Sequence, residues 1–423
     1  MLIEFEVGNY LSFKKPVRLS LVAANTDKEL LECNTFEVGR YRLLRSAAIY
    51  GANASGKSNL LSALNFMAKF VTTSSRESTA QDEINVIPFK LDYDTENEPS
   101  RFETTFLIGN TRYRYGFEAT RKQIVGEWLF CSEKIKEKIL FLRTQDGIDV
   151  RPIFNEGSDL ESKTRDNALF LSVVAQFNGT IAKEIFNWFT SLICMYGNND
   201  QSFSEYTAKK LLDEEEKSEL LDFIKESDLG IEDIKITELD DNNKFRLAGI
   251  PPRNNDIRLA IFTVHKKFRQ EIEDGFSIMD LTSEESEGTK KFFRFAGPIF
   301  TCIKWGLTVC FDELDAKLHP LLTRAIVRLF NSPANKHNAQ LIFTTHDTNL
   351  LQAKDLRRDQ IWFTEKDQTA STDLYSLAEF KNEQGSKIRK DAAYENNYIQ
   401  GRYGAIPFLG DFGAVLKGNT TNG

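Results

Sequence analysis

The clearest chemical pattern in the sequence is a glycine-rich segment starting at Gly51, G-A-N-A-S-G-K-S, which fits G-x-x-x-x-G-K-[ST] at every position. Gly51 and Gly56 let backbone N–H groups converge on phosphate oxygens, helped by the N-terminus of the following helix. Lys57 would neutralise the β- and γ-phosphates, and Ser58 would bind Mg²⁺. The alternative is a polar turn with a chance lysine. The predicted nucleotide-binding residues of this segment are Gly51, Asn53, Ser55, Gly56, Lys57, Ser58 and Asn59.

Two carboxylates follow an apolar run later in the chain. The run L-T-V-C-F ends at Asp312 and Glu313, which places both acids at the carboxyl edge of a buried parallel strand, where ligands bind. Asp312 would hold Mg²⁺ through water, and Glu313 would polarise an attacking water. Taken alone, such a run is also typical of a surface-facing strand end. Together with the phosphate loop, it predicts hydrolysis of ATP with Mg²⁺ as cofactor.

The surrounding patterns predict the elements that position these residues. S-A-A-I-Y before the loop predicts a strand, and N-L-L-S-A-L-N-F-M-A-K-F-V after it has helical periodicity. The runs L-T-V-C-F-D-E and Q-L-I-F-T-T-H, with the helix H-P-L-L-T-R-A-I-V-R-L-F between them, predict the parallel half of a nucleotide-binding fold. Short alternating segments between Phe102 and Val150, separated by G-N, Gly126 and D-G turns, predict an added antiparallel sheet. The fold class is therefore α/β, with a mixed or parallel core sheet.

A change of composition near residue 176 predicts a lobe boundary. I-N-V-I-P-F-K-L-D-Y-D and A-L-F-L-S-V-V-A have strand character, whereas the later segment E-Y-T-A-K-K-L-L-D-E-E-E-K-S-E-L-L-D-F-I-K-E-S predicts a charged helix. We predict three segments. Residues 1–175 form the first part of an ATPase lobe, 176–300 form a helical lobe, and 301–423 complete the ATPase lobe.

Composition narrows the functional classes. The chain has 423 residues, of which 41% are hydrophobic, so it can bury a large core and is not a disordered protein. Its net charge of -8 gives no global attraction for nucleic acid, and contact with DNA or RNA would need a local basic patch. The five cysteines form no C-x-x-C pair, which disfavours structural zinc and disulfides. No signal-like N-terminus or membrane-length apolar run is present, so we expect a soluble, cytoplasmic protein with no membrane contact.

At this point the motifs resemble a known family. The segment from Asp312 to Pro320, D-E-L-D-A-K-L-H-P, resembles the Walker B motif and D-loop of ABC-type ATPases of the SMC/RecF/OLD group. T-H-D around His346, after the apolar strand Q-L-I-F, resembles their switch-histidine loop. The resemblance implies an ABC-type P-loop ATPase head in which His346 senses the γ-phosphate. Without the flanking motifs, a histidine at a strand end would be a solvated or capping residue.

Two further motifs gain a role only through this resemblance. S-E-G-T, starting at Ser286, stands ahead of a predicted helix where such ATPases carry their signature motif. The resemblance implies that Ser286 and Gly288 cap the γ-phosphate bound to a second protomer, so that ATP joins a homodimer or higher oligomer. Transporters have L-S-G-G-Q here, and a polar turn before a helix is the alternative. Gln176 resembles the Q-loop glutamine that reaches Mg²⁺.

A narrower resemblance covers nearly the whole chain. Compact bacterial ATPases of the RloA and AbiL type, associated with anti-phage and abortive-infection operons, share several segments with it. These are F-E-V-G-N-Y-L-S-F-K at the start, P-F-K-L at Pro88, Y-G-F-E at Tyr115, S-E-G-T, and Y-I-Q-G-R-Y-G-A-I-P from Tyr398. The resemblance implies an ATPase that regulates a nuclease or toxin. Because the segment after His346 is short for a nuclease domain, we expect the effector in a separate chain. The tail from Tyr398 would pack on the core or dock a partner.

Two other functions fit parts of the sequence. A RecF-like DNA-repair or DNA-structure-sensing clamp would share the ATPase motifs, but it would need a basic stripe that the acidic composition does not suggest. A GTP-dependent switch is disfavoured because the sequence has no N-K-x-D or T-K-x-D run for guanine selection.

Overall fold

The computed structural model describes residues 1–25, 28–77, 79, 81–196, 200–239, 258–380 and 393–407. The strands in these ranges are β1 (Leu2–Gly8), β2 (Val17–Ser20), β3 (Thr35–Val38), β4 (Tyr41–Leu44), β5 (Ser46–Gly51), β6 (Ser100–Ile108), β7 (Thr111–Ala119), β8 (Ile124–Ser132), β9 (Lys138–Thr144), β10 (Gly147–Val150), β11 (Ile193–Met195), β12 (Ile231–Leu239), β13 (Arg258–Arg269), β14 (Ile272–Asp280), β15 (Thr308–Phe311), β16 (Gln340–Thr344), β17 (Ile361–Lys366) and β18 (Thr372–Ser376).

The α-helices in the same ranges are α1 (Leu31–Asn34), α2 (Lys57–Thr73), α3 (Phe170–Gln176), α4 (Thr180–Thr190), α5 (Asp200–Leu212), α6 (Lys217–Lys225), α7 (Glu287–Trp305), α8 (Pro320–Phe330), α9 (Asn349–Gln352) and α10 (Tyr394–Ile399). Short 3-10 helices span Thr95–Asn97, Pro152–Gly157, Glu161–Lys163 and Arg358–Gln360.

The central sheet carries the predicted nucleotide motifs. Its order is β11-β15-β16-β5-β17-β18, and its neighbouring strands run parallel except for the antiparallel edge pair β17-β18. Every residue of β5, β15 and β16 is buried, as is typical of parallel strands covered on both faces. The strands that end at Gly51, Phe311 and Thr344 are therefore neighbours, and their carboxyl ends share one edge. The prediction of an α/β fold with a mixed core sheet is confirmed.

The central sheet separates two apolar cores because its side chains alternate between faces. Ala47 and Ile49 of β5 belong to the core shared with the large antiparallel sheet. Ala48 and Tyr50 belong to the core shared with α7 and α8. The strand that leads into the phosphate loop is thus fixed from both sides, so its end has a defined position.

The added antiparallel sheet has seven strands in the order β10-β9-β8-β7-β6-β1-β2. Its existence was predicted, but one of its predicted turns was wrong. Gly126 lies inside β8, which pairs with both β7 and β9. A Cβ at Gly126 would have no neighbour closer than 3.8 Å, so a Cβ would fit at this position of the strand without a clash. Here, glycine alone was a poor signal for a turn.

Two predicted strands were wrong. The run A-L-F-L-S-V-V-A forms helix α3, in which Phe170 to Ala175 are all buried, and a continuous buried run does not distinguish a strand from a helix. The buried Glu127 carboxylate stabilises the helix start by accepting hydrogen bonds from the N–H groups of Phe170 (2.7 Å) and Leu171 (3.0 Å).

The second wrongly predicted strand, the segment around Pro88, is irregular. Its backbone bonds to the loop after β1 instead of to a strand, with the Phe89 N–H donating to Asn9 Oδ1 at 3.0 Å.

The range 176–300 differs from the predicted helical lobe in two respects. The charged segment forms two helices, α5 and α6, interrupted between Leu212 and Lys217. In addition, β12, β13 and β14 form a three-stranded antiparallel sheet that the sequence did not predict. The long helix α7 follows this sheet and begins at the predicted S-E-G-T motif.

Candidate nucleotide-binding site

The glycine-rich segment forms a loop between the end of β5 and the start of α2. Gly56 has φ 110°, a conformation that side-chain-bearing residues rarely adopt. A Cβ at Gly56 would also lie 2.7 Å from Thr372 Cγ2. The second glycine of the motif is therefore required both by backbone conformation and by the close approach of β18.

The Lys57 side chain folds back across this loop. Its Nζ donates to the backbone oxygens of Gly51 at 2.9 Å and Ala52 at 3.0 Å, and the residue is only 6% exposed. Burial lowers the pKa of Lys57, whereas the nearby carboxylates of Asp312 and Glu313 act in the opposite direction. The ammonium is thus already placed at the loop that would receive the phosphates.

The neighbouring strand ends bring a carboxylate to the start of α2. Asp312 Oδ1 accepts hydrogen bonds from Ser58 Oγ at 3.0 Å and from Thr344 Oγ1 at 2.6 Å. A carboxylate beside a hydroxyl is an oxygen donor set that Mg²⁺ accepts. Within the described residues no group of three or more His, Cys, Asp or Glu side chains could hold a metal. Ser58 and Asp312 therefore fit Mg²⁺ as part of a set completed by phosphate oxygens and water, as Mg²⁺ is usually bound to nucleotides.

Glu313 has an unusual backbone. Its φ is 52°, in the left-handed region, and its N–H donates to Thr344 Oγ1 at 2.7 Å. Its side chain is exposed at the edge of the site. The Thr344 hydroxyl, which is fully buried, thus bonds to both consecutive acidic residues. The Asp312 side chain thus bonds to Ser58, whereas the Glu313 side chain is exposed.

His346 lies at the end of the strand next to Asp312. Its backbone N–H donates to the Asp315 carboxylate at 3.3 Å, which ties the loop around His346 to the turn from Glu313 to Lys317, here called the D-loop. Partial burial and the Lys57 ammonium lower the pKa of His346, against the opposing effect of Asp315. The imidazole is consequently biased towards its neutral form at pH 7.

The S-E-G-T motif begins α7. Ser286 is the N-cap, and its Oγ accepts the Thr289 N–H at 3.1 Å. A Cβ at Gly288 would lie 3.0 Å from the backbone oxygen of Lys317, so glycine allows the helix to approach the D-loop of its own chain. Both contacts lie within one chain. The contact of Ser286 and Gly288 with the nucleotide of a second protomer therefore stays a prediction.

The remaining loop residues have other neighbours. Asn53 is exposed at the loop. Ser55 Oγ lies 2.6 Å from Thr364 Oγ1, and Asn59 Nδ2 donates to Ser12 Oγ at 2.8 Å. The side chains of Ser55 and Asn59 therefore brace the loop against β17 and the β1–β2 connection.

The structure does not bring Gln176 to this site. It ends α3 and is exposed, and Ser172 in the same helix donates to Ser75 Oγ at 2.8 Å. Ser75 follows the last turn of α2, a 17-residue helix roughly 25 Å long, whereas Ser58 lies in its first turn. The assignment of Gln176 as a magnesium-reaching residue was wrong because it depended on reading α3 as a strand.

Sequence reasoning missed the strand that does end beside Asp312. β11 pairs in parallel with β15, and the Asp312 N–H donates to the Met195 backbone oxygen at 2.9 Å. The short run L-I-C-M-Y was its only signal. Thr344 was missed as well, although it directly follows the apolar run Q-L-I-F. The Ser12–Thr372 contact, 2.8 Å between hydroxyls, has no local signal because it joins distant parts of the chain.

The tail packs behind the phosphate loop. The ring of Tyr398 lies 5.7 Å from that of Tyr50, the residue before Gly51. Burial raises the pKa of Tyr398 to about 12, against the effect of a hydrogen bond with the Gly51 backbone. Thr348 Oγ1, two residues after His346, donates to Glu395 Oε1 at 2.9 Å. Of the two predicted roles, packing on the core is the one that the structure shows for residues 393–407.

A phosphate loop at the end of a parallel strand, beside an adjacent acidic strand end, defines a P-loop ATPase head. The chain belongs to the family described as "AAA domain, putative AbiEii toxin, Type IV TA system", whose model matches residues 46–352. The prediction of a P-loop ATPase family is confirmed.

Comparisons of the fold find SMC heads among solved structures. The SMC head bound to the C-winged helix domain of ScpA has a TM-score of 0.43 and 13% identity, covering 89% of this chain and 97% of that chain. The SMC head domain from Thermotoga maritima has a TM-score of 0.41 and 14% identity, covering 89% and 98%. No curated protein matches the chain. No helix among the described residues is long and apolar enough to cross a membrane.

Proposed function

We propose that this protein binds ATP with Mg²⁺, hydrolyses it, and dimerises around the bound nucleotide to switch a separate effector protein. The observation that carries the proposal is the convergence of Lys57, Ser58, Asp312 and Glu313 at one edge of the central sheet. These residues supply the cation, the metal ligands and the base that phosphoryl transfer to water requires.

Each side chain has a distinct part in this reaction. Lys57 leaves the carbonyls of Gly51 and Ala52 to neutralise the β- and γ-phosphates. Ser58 and Asp312 would hold Mg²⁺, which neutralises charge on the phosphate oxygens. Glu313 orients and polarises the attacking water from the exposed side of the site. His346, biased towards its neutral form, can donate one hydrogen bond to the γ-phosphate without adding a fixed charge.

Substitution of the base tests hydrolysis. Glu313→Gln keeps the size of the side chain but removes the charge that polarises water, while Lys57, Ser58 and Asp312 remain. We expect ATP binding and dimer formation to persist and phosphate release to slow by about a hundredfold to ten-thousandfold. Size-exclusion chromatography with ATP and a phosphate-release assay measure the two properties separately. Rapid hydrolysis by the variant would contradict the assigned base.

Mixing two inactive variants tests the composite dimer site. Lys57→Ala lacks the cation of its own phosphate loop, and Ser286→Arg would place a bulky cation against the partner's nucleotide. In a head-to-tail dimer, a mixed pair regains one intact site because it combines Lys57 of one chain with Ser286 of the other. An equal mixture should recover about a quarter of the wild-type rate, since half of the dimers are mixed and each has one working site. An inactive mixture would place Ser286 outside the partner's site.

The effector role is supported by the narrower resemblance to RloA- and AbiL-type ATPases. The described residues after His346 include β17 and β18 of the central sheet and the tail that packs on Tyr50, so they form part of the ATPase head. On that resemblance, we propose that the effector is a nuclease or toxin of an anti-phage or abortive-infection system. Affinity capture of the Glu313→Gln protein with ATP, from cells that carry the neighbouring genes, tests this. Capture of no neighbouring product, with ATP or without, would contradict it.

A further inference from the structure

A lysine outside the predicted motifs contacts the backbone of the proposed base. Lys291 lies in the second turn of α7, and its Nζ donates to the backbone oxygen of Glu313 at 2.6 Å. The ammonium also lies 5.0 Å from the centre of the Phe295 ring, on the next turn of the same helix. Its position is therefore defined by the helix as well as by Glu313.

The backbone of Glu313 needs such support. A left-handed conformation at a residue other than glycine is strained, and it persists only when surrounding groups hold it. The Glu313 N–H is held by Thr344, and its carbonyl accepts both Lys291 Nζ and the Ala316 N–H, the latter at 3.1 Å. One side of the residue is thus fixed by the central sheet and the other by the helix that begins at the signature motif.

The start of α7 contacts the D-loop at two more points. Lys317 Nζ forms an ion pair with Glu287 at 3.0 Å, and Gly288 lies against the Lys317 backbone oxygen. Lys291 therefore belongs to a contact between the first turns of α7 and the segment from Glu313 to Lys317. A displacement of the first turn of α7, which begins at the S-E-G-T motif, would move the Lys291 ammonium relative to Glu313.

We propose that Lys291 is a positioning residue, which fixes the backbone of Glu313 so that its carboxylate meets the attacking water and which links the base to the signature helix of the same chain. This inference rests on the proposed ATPase function. In this proposal, Lys291 acts through Glu313.

The test compares three variants with the wild type. Lys291→Met retains a long apolar side chain for Phe295 but loses the charged donor. Lys291→Arg retains a cationic donor. Lys304→Met is the matched control, because Lys304 lies on the same helix with its ammonium 5.3 Å from the Phe300 ring but pairs with Glu219 and Glu216 instead of Glu313.

We expect Lys291→Met to lower kcat by about tenfold to a hundredfold, as a small misplacement of a catalytic group does. ATP affinity, ATP-dependent assembly and Tm should stay close to the wild-type values. Lys291→Arg should recover most of the lost rate, and Lys304→Met should hydrolyse ATP at the wild-type rate.

A double-variant cycle separates positioning from a general structural effect. If Lys291 acts through Glu313, adding Lys291→Met to Glu313→Gln should slow hydrolysis no further. Additive losses in the double variant, a wild-type kcat in Lys291→Met, or no recovery in Lys291→Arg would each overturn the proposal. A wild-type protein that hydrolyses no ATP would instead refute the proposed function itself.

Discussion

The Thr344 hydroxyl provides the sharpest test of the site's geometry. Thr344→Val preserves the shape of the side chain but removes the donor to Asp312 Oδ1 and the acceptor for the Glu313 N–H. Loss of a hydrogen bond to a charged group costs about 1.5 to 3 kcal/mol, and an unpaired buried N–H costs about 1 to 3 kcal/mol. Because Asp312 keeps its bond from Ser58 and is only partly buried, we expect the low end of the sum, a loss of about 2.5 kcal/mol in the free energy of unfolding.

The same substitution should weaken the response to Mg²⁺. Groups that orient a metal ligand commonly change metal affinity by about tenfold to a hundredfold when removed, so ATP binding should need a higher Mg²⁺ concentration. Thr308→Val is the control. Thr308 is also buried, at the start of the neighbouring strand β15, and its hydroxyl donates to Gln340 Oε1 at 3.3 Å, so we expect a loss of about 1 kcal/mol. Urea unfolding and ATP titration over a range of Mg²⁺ measure both effects. Equal losses in the two variants would refute the assigned role of Thr344.

Three further predictions concern the loop and its neighbours. Lys57→Ala should abolish nucleotide binding because it removes the cation of the phosphate loop, and near-normal ATP affinity would refute that role. Burial and the Lys57 ammonium lower the pKa of His346, so in ¹³C-histidine NMR it should titrate at a higher pH in Lys57→Ala than in the wild type, because removal of the ammonium favours protonation. An unchanged midpoint would contradict their coupling. Gly56→Ala should lower unfolding free energy by at least about 2 kcal/mol through strain and overpacking, whereas Gly39→Ala, also at positive φ but in open space, should cost about 1 kcal/mol. Similar thermal shifts for both glycine variants would show that the loop tolerates a side chain.

The parts of the site that could be predicted are those encoded in contiguous residues. The phosphate loop combines a strand, two glycines and a helix start within one short segment, so pattern and context support the same interpretation. Asp312 and Glu313 follow directly from the apolar run that precedes them. Parallel strands bring such ends to a common edge, which is why Ser58 and Asp312 meet even though they are far apart in sequence.

The errors arose where burial conceals periodicity. A helix buried on every side and a buried parallel strand are both continuous apolar runs, so the segment before Gln176 gave no basis for choosing between them. Long-range contacts stabilise the helix in this segment, such as the hydrogen bonds from the start of α3 to the Glu127 carboxylate of β8. The contacts of Ser12 and Thr372 with the phosphate loop could not be predicted for a related reason. They join segments that are far apart in the sequence, and no local pattern encodes that pairing.

The charges around Lys57 also explain why the acidic composition is compatible with binding a triphosphate. Lys57 interacts with Asp312, Glu313 and Asp315, so one ammonium faces three carboxylates in a partly buried site. Such a site would repel an uncomplexed triphosphate, since like charges interact strongly where water is partly excluded. The same carboxylates favour a phosphate that arrives with its divalent cation. We therefore expect the local excess of acidic groups to favour the magnesium complex of the nucleotide, whatever the overall net charge of the chain.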